Sequence, residues 1–247
     1  VVDIQWYEPK AISSAYNAFY PLCIDEYSRL IPSEERFPSS VEGKGFKPLA
    51  DFVHSLGLKF GIHIMRGIPR EAVHKNLPIK NSNKSARDVA HPNSICLWNT
   101  DMYGVNANVE GAQAYYDSLI ELYAEWGVDF LKVDDIARPY SKDEIELIHY
   151  AIKKSKRNIV LSLSPGPAPI DEAEHLCKHA NMWRMTDDFW DTWAHLYPMF
   201  DRCKEWAKFS KEGNWPDCDM LPLGHIGIKS VEHGVGDRKT RFTENEQ

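Results

Sequence analysis

Two pairs of neighbouring carboxylates carry the strongest chemical signal in this sequence. Asp134 and Asp135 close the apolar run of "DFLKVDD", and Asp187 and Asp188 close "NMWRMTDD". Each pair has a cation just upstream, Lys132 in the first and Arg184 in the second. Two carboxyls flanking a sugar are the minimal machinery for glycoside cleavage: one attacks or activates water, the other delivers a proton. In an extended segment neighbouring side chains point to opposite faces, so only one member of each pair can address a shared site. Other apolar runs also end in polar or aromatic residues: Asp3 and Trp6, His63 and Arg66, Ser162 and Ser164, Asp219 and His225.

Each of these residues has a plainer use. Asp134 or Asp135 can cap the helix that follows, a role for which Asp is favoured. Arg184 and Asp188 can form a structural ion pair, and a strand histidine such as His63 is more often a satisfied core or rim residue than a ligand. Alternation puts Lys132 on the same side as Asp134. No His-x-His motif is present, the corresponding stretch being "HIM"; that weakens a metallohydrolase reading and leaves a carboxylate-bound cation open.

Such residues converge only if the runs that carry them are parallel strands with aligned C-terminal ends, where α/β proteins keep their chemistry. The pattern predicts strands over 1–6, 58–65, 128–135, 158–164, 181–186 and 219–227. Between them it predicts helices from Phe46 to Leu56, from Gly111 to Trp126, after Ser141, over 170–180, and from Trp193 to Cys203. Gly57 and Gly127 supply helix stops, and "SKDE" at 141–144 reads as a capping box of Ser141 with Glu144. Residues 66–109, rich in Asn, Ser, Lys and Pro, read as one extended loop. This β(αβ) alternation points to a parallel sheet with helices outside, either a TIM barrel or a doubly wound sheet. Neither GxGxxG after a strand nor GxxxxGK[ST] occurs, so both nucleotide-binding fingerprints are missing.

Composition sets wider bounds. The chain has 247 residues, 43% of them hydrophobic, enough for one large core or two small ones. Its net charge is -7 without a Lys/Arg block, which argues against a nucleic-acid partner. No apolar run reaches the roughly 18 residues of a membrane span. Five widely spaced cysteines, an odd number with no CxxC, do not suit a zinc site. Eight Trp and 11 Tyr suit a sugar-binding cleft and an ordinary core equally.

Taken in order, "ADFVHSLGLKFGIH", "AEWGVDFLKVDD", "NMWRMTDD" and "NWPDCDMLPLG" resemble glycoside hydrolase family 27, the α-galactosidase and α-N-acetylgalactosaminidase family. The similarity runs through most of the chain and is weakest over 66–109. The resemblance implies a (β/α)8 TIM barrel, a retaining glycosidase without cofactor or metal, and a carbohydrate substrate, α-galactosides first. Its Lys-x-Asp motif implies Asp134 as nucleophile, and its "WRMTDD" segment implies Asp188 as acid/base. Lys132 and Arg184 would bind sugar hydroxyls, Asp3 would bind the sugar, and Trp6 would line the pocket. Ser164 and Asp219, at two more strand ends, complete the expected substrate-binding set.

The sequence also departs from the family pattern. Where the family has two consecutive Asp in its first segment, this chain has Asp3-Ile4-Gln5-Trp6. A Cys-x-Trp after the fifth family strand is replaced by Ser164-Pro165-Gly166, and Asp135 stands where Asn is more usual. The family's first and eighth strands have no counterpart here. The expected organisation is therefore one glycosidase barrel domain over 1–247, truncated at both ends, with about strands two to seven of eight. The expected compartment is secreted, periplasmic or lysosomal, with no signal visible in this stretch. Two other readings stay open: a barrel that binds carbohydrate without cleaving it, and a carboxylate-metal hydrolase on the same fold.

Overall fold

The computed structural model describes Trp6, residues 22–226 and residues 238–247. The strand expected over 1–6, apart from Trp6, lies outside the described residues, and Asp3 with it. The chain forms two compact units: unit 1 comprises 1–136 and 141–162, unit 2 comprises 137–140 and 163–247.

Unit 1 is built on parallel strands. Helix α1 (Lys47–Ser55) starts with Pro48 in its first turn and stops at Gly57, whose φ is +73°. Strand β1 (Gly61–Met65) follows. The stretch expected to be an extended loop is instead ordered. It holds β2 (Ile68–Pro69), α2 (Arg70–Lys75), α3 (Ala86–Val89), β3 (Ala90–Ile95) and β4 (Met102–Val105). Here β4 pairs antiparallel with both β2 and β3. Strand β2 has only two residues, and β3 is polar, mostly exposed and shifts register between His91 and Ile95. Such strands leave no hydrophobic period in the sequence.

Helix α4 (Ala112–Trp126) lies between Gly111 and Gly127, both left-handed at φ +96° and +86°. Of the apolar face that the helical spacing predicts, it buries Tyr115, Leu119, Tyr123 and Trp126 and leaves Leu122 half-buried. Strand β5 (Phe130–Asp134) pairs parallel with β1, setting His63 opposite Lys132 and Met65 opposite Asp134. Helix α5 (Lys142–Ser155) returns to β6 (Val160–Leu163), which neighbours β5. The capping box expected at Ser141 does not form, because the Glu144 carboxylate is taken by a buried arginine.

Trp6 anchors the aromatic core of unit 1. Its ring stacks on Tyr123 and Trp126, with centroids 6.1 and 6.5 Å away, and meets the edge of Phe46 at 5.7 Å. Gly45, at φ +56°, lies against the Trp126 indole so closely that a Cβ there would fall 2.0 Å from Nε1.

In unit 2, α6 (Ala173–His179) leads to β7 (Met182–Arg184), and α7 (Trp193–Trp206) leads to β8 (Trp215–Asp217). Strands β7 and β8 are parallel, with Arg184 opposite Asp217. Trp183 and Trp206, both fully buried, face each other at 5.8 Å. The last expected strand, over 219–227, is a correction. The parallel strand lies earlier, at 215–217, while His225–Ile226 (β9) pairs antiparallel with Arg238–Lys239 (β10). Pro216 hides β8 from a sequence reading because it has no ladder N–H; a strand at the edge of a sheet tolerates this. Among the described residues, no helix is long and apolar enough to cross a membrane.

Candidate active site

Unit 1 carries Lys132 and Asp134, and their placement follows from alternation along β5. Leu131 and Val133 are fully buried on one face, while Lys132 and Asp134 are half-buried on the other. Parallel pairing brings His63 of β1 onto the same face, where its Nε2 lies 3.3 Å from Asp134 Oδ2. Asp134 Oδ1 accepts the backbone N–H of Asp135 at 2.9 Å. The carboxylate at the end of β5 is thus fixed through one oxygen while the other faces an imidazole. Trp6, expected to line a pocket, is only 5% exposed and is spent on the core. Its indole N–H donates to the His63 carbonyl at 3.0 Å, so it supports His63 from behind.

Asp135 has a different fate from its neighbour. Its backbone is left-handed at φ +58°, a conformation costing a non-glycine residue roughly 1–2 kcal/mol. That turn rotates its side chain away from Asp134 into the interior, where Arg66 meets it. Arg66 Nη2 donates to the Asp135 carboxylate at 2.8 Å, and Nε donates to the Asp135 carbonyl at 2.6 Å. Arg66 Nη1 donates to Glu144 Oε1 at 2.7 Å and to Ser94 Oγ at 2.9 Å. The Tyr116 hydroxyl donates to the other Glu144 oxygen at 2.5 Å and accepts the Gly67 N–H at 3.1 Å. Finally, the backbone N–H of Arg66 donates to the Asp134 carbonyl at 2.9 Å. One arginine therefore clamps the turn that aims Asp134.

Burial opposes all these charges. It pushes the Asp135 and Glu144 carboxyls above the usual carboxylate range, with Arg66 pulling the other way. Arg66 loses hydration too, but Glu144 and Asp135 more than compensate and its pKa lies above the ordinary arginine value. The Tyr116 hydroxyl is raised well above normal by burial and by Glu144, so it remains a donor. Glu144 was absent from the expected set. Its signal was present: it shares a helical face with Ile148 and Ala151, where a charged residue needs a buried partner.

Unit 2 carries Ser164, Arg184, Asp188 and Asp219. Arg184, at the end of β7, is 3% exposed, yet its Nη1 donates to Asp188 Oδ1 at 3.0 Å and lies 3.5 Å from Asp219 Oδ2. Its Nε and Nη2 are buried with no hydrogen-bond partner among the described residues. Buried donors left in that state cost roughly 1–3 kcal/mol each, which marks a place built for an acceptor. Asp188 is exposed, and its N–H is held by Asp187 Oδ1 at 2.8 Å. Asp187 itself pairs with Arg138 at 2.7 Å on the surface. Asp219 is fixed by its own turn: its N–H donates to Asp217, and Met220, left-handed at φ +73°, donates to its carboxylate.

Ser164 is 2% exposed, and its carbonyl accepts the Ala137 N–H. Gly166, two residues on, passes so close to β7 that a Cβ would sit 2.0 Å from the Thr186 carbonyl oxygen. That contact explains why a small residue follows Ser164-Pro165. His225 is exposed in the antiparallel β9–β10 pair and is not part of the parallel strands.

The family model described as alpha galactosidase A matches residues 88–236. A GH27 β-L-arabinopyranosidase from Geobacillus stearothermophilus is 65% identical, with a TM-score of 0.90 over 97% of this chain and 56% of its own. The solved complex of a variant of that enzyme with arabinose is 64% identical, with a TM-score of 0.91 over 97% of this chain and 57% of its own. Alpha-galactosidase 3 from Arabidopsis thaliana is 31% identical over 211 residues, 85% of this chain and 39% of that protein. The chain thus spans about two fifths of this curated relative and just over half of the solved chains. The fold class is α/β of the (β/α)8 TIM-barrel type, with part of the barrel's strands among the described residues.

Proposed function

The chain belongs to glycoside hydrolase family 27, the α-galactosidase family, and from that premise we propose that it is the catalytic part of a retaining glycosidase. Asp134 attacks the anomeric carbon while Asp188 gives its proton to the departing glycosidic oxygen. The sugar is then held as an ester on Asp134. Asp188, now a carboxylate, takes a proton from water, which displaces Asp134 and restores the original anomeric configuration. The observation that carries the choice of nucleophile is the contrast at the end of β5. Asp134 is half-buried on the strand face, with Oδ1 accepting the Asp135 N–H and Oδ2 lying 3.3 Å from His63 Nε2, whereas Asp135 is buried and committed to Arg66. The proposed chemistry needs no cofactor.

Arg184 supports a sugar-binding role through its two unpartnered buried donors, which suit hydroxyl oxygens as acceptors. Lys132 is on the same face of β5 as Asp134, and Asp219 is turned toward Arg184. Asp3 and Ser164 complete the proposed set, Asp3 on the strength of the family pattern alone. The match over 97% of the chain supports reading 1–247 as part of one glycosidase domain.

The proposed substrate is a terminal pyranose with the ring stereochemistry of galactose, and β-L-arabinopyranosides before α-galactosides. β-L-Arabinopyranose presents the same ring hydroxyls as α-D-galactopyranose but lacks the hydroxymethyl group. Ile4 stands where the family pattern has a hydroxyl-binding carboxylate. An apolar side chain there leaves a sugar hydroxyl without its acceptor and favours a ring that lacks one. The sequence alone pointed to α-galactosides first; the 65% identical arabinopyranosidase supports the pentose. A panel of nitrophenyl α-galactoside, α-N-acetylgalactosaminide, α-glucoside and β-L-arabinopyranoside tests this. A higher kcat/KM on the arabinopyranoside is expected; strict α-galactoside preference would overturn the substrate assignment.

A further inference from the structure

Two cysteines in unit 2, far apart in function from the carboxylates, meet at hydrogen-bonding distance. Cys203 lies in the third turn of α7 and is exposed; Cys218 directly follows β8 and is half-buried. Their sulfurs are 3.2 Å apart. The 15-residue separation is folded back by the 3₁₀ turn at Ala207–Phe209 and the Lys211–Asn214 bridge, with Gly213 left-handed at φ +81°. We propose that Cys203 and Cys218 are a dithiol modification site that closes reversibly to a disulfide under a low-molecular-weight disulfide oxidant such as oxidised glutathione.

The exchange balances without other reactants. The exposed Cys203 thiolate attacks one sulfur of oxidised glutathione and expels one glutathione thiolate. Cys218 then loses its proton and attacks Cys203 Sγ, expelling the second glutathione. The protein loses two electrons and two protons, and one oxidised glutathione becomes two reduced molecules. The second step needs the Cys218 thiolate. Burial and Asp217 hold the Cys218 thiol above its ordinary value, and both persist once Cys203 carries glutathione, so the attacking thiolate becomes more abundant as pH rises. Closure should therefore accelerate as pH rises.

The bond would tie α7 to the turn that orients Asp219. Cys218 sits between Asp217, which accepts the Asp219 N–H at 3.0 Å, and Asp219, whose carboxylate lies 3.5 Å from Arg184. Closing a loop of this length constrains the unfolded chain, and roughly 5–10 °C of added thermal stability is the expected size of the effect.

Thiol counting on the purified protein tests the proposal. Five thiols are expected after reduction and denaturation, and three after incubation with oxidised glutathione at about pH 8. A non-reducing peptide map should show Cys203 joined to Cys218, and dithiothreitol should return both the five thiols and the lower melting temperature. Cys203→Ser and Cys218→Ser should each abolish the cross-link and the reversible shift, leaving any change in melting unrelated to oxidant. Retention of five thiols, a stable glutathione adduct on Cys203 without the cross-link, or an equal shift in the Cys203→Ser protein would overturn it.

Discussion

Arg66→Met deletes the guanidinium that clamps Asp135 and Glu144 and keeps most of the side-chain volume. Both carboxyls are buried, at 4% and 6% side-chain exposure, so they cannot turn to water for compensation. Breaking a buried ion pair by removing one partner costs about 3–5 kcal/mol, because the remaining charge is left desolvated. For a chain of this size, about 2–4 °C of melting temperature goes with each kcal/mol, so the expected fall is roughly 6–20 °C. The pH dependence gives the sign a second check. Burial already raises both carboxyls in the folded protein, and without Arg66 they rise further. Acids whose folded pKa exceeds the unfolded value favour the folded state at low pH and disfavour it as pH climbs through the folded pKa. The gap between Arg66→Met and the parent should therefore be wider at about pH 8 than at about pH 5. Neutralising the orphaned acids, as Arg66→Met with Asp135→Asn and Glu144→Gln, should recover part of the loss at the higher pH. Melting followed by tryptophan fluorescence reads all three comparisons. A melting temperature within about 2 °C of the parent at about pH 8 would refute the buried clamp and the magnitude drawn from it.

Asp188→Ala should still glycosylate rapidly from a dinitrophenyl glycoside, whose leaving group needs no acid, and should then accumulate the ester; azide should restore turnover as a glycosyl azide, and absence of that rescue, or its appearance in Asp187→Ala instead, would count against Asp188. Gly45→Ala should lower stability by about 2 kcal/mol or more, since a Cβ at φ +56° would penetrate the Trp126 ring; denaturant unfolding with an unchanged midpoint would show that the aromatic core yields freely.

The sequence was most readable where local chemistry and burial agree. The run Phe130-Leu131-Lys132-Val133-Asp134 alternates as a strand with one buried face must, and β5 follows it residue for residue. Helix α4 was legible because two glycines bracket an unbroken apolar face. What escaped was structure whose reason lies elsewhere in the chain. Among the antiparallel strands within 66–109, β2 is only a buried Ile-Pro pair and β3 is polar, and both are held by pairing with β4 rather than by any hydrophobic period. Strand β8 is three residues long with a proline at its centre and is defined by its partner β7. Ser141 and Glu144 have the spacing of a capping box, but Arg66, 78 residues away, takes the glutamate. The same arginine holds Asp135 in the interior and leaves Asp134 on the strand face with Lys132, a difference that local spacing left open. The core contacts of Trp6 were hidden for a related reason, since nothing near it in sequence announces Tyr123 and Trp126 as its neighbours.

The central claim is that Asp134, and not Asp135, carries the sugar during turnover. A 2-fluoro glycosyl fluoride of the preferred sugar slows both steps but spares the first through its good leaving group, so the ester can be isolated. Tryptic digestion and fragmentation of the peptide running from Val133 to Lys142, the Arg138-Pro139 bond being resistant to trypsin, then locates the added mass. The account predicts the label on Asp134, in stoichiometric amount and absent from Asp134→Asn. A label on Asp135, or turnover that persists in Asp134→Asn, would contradict it.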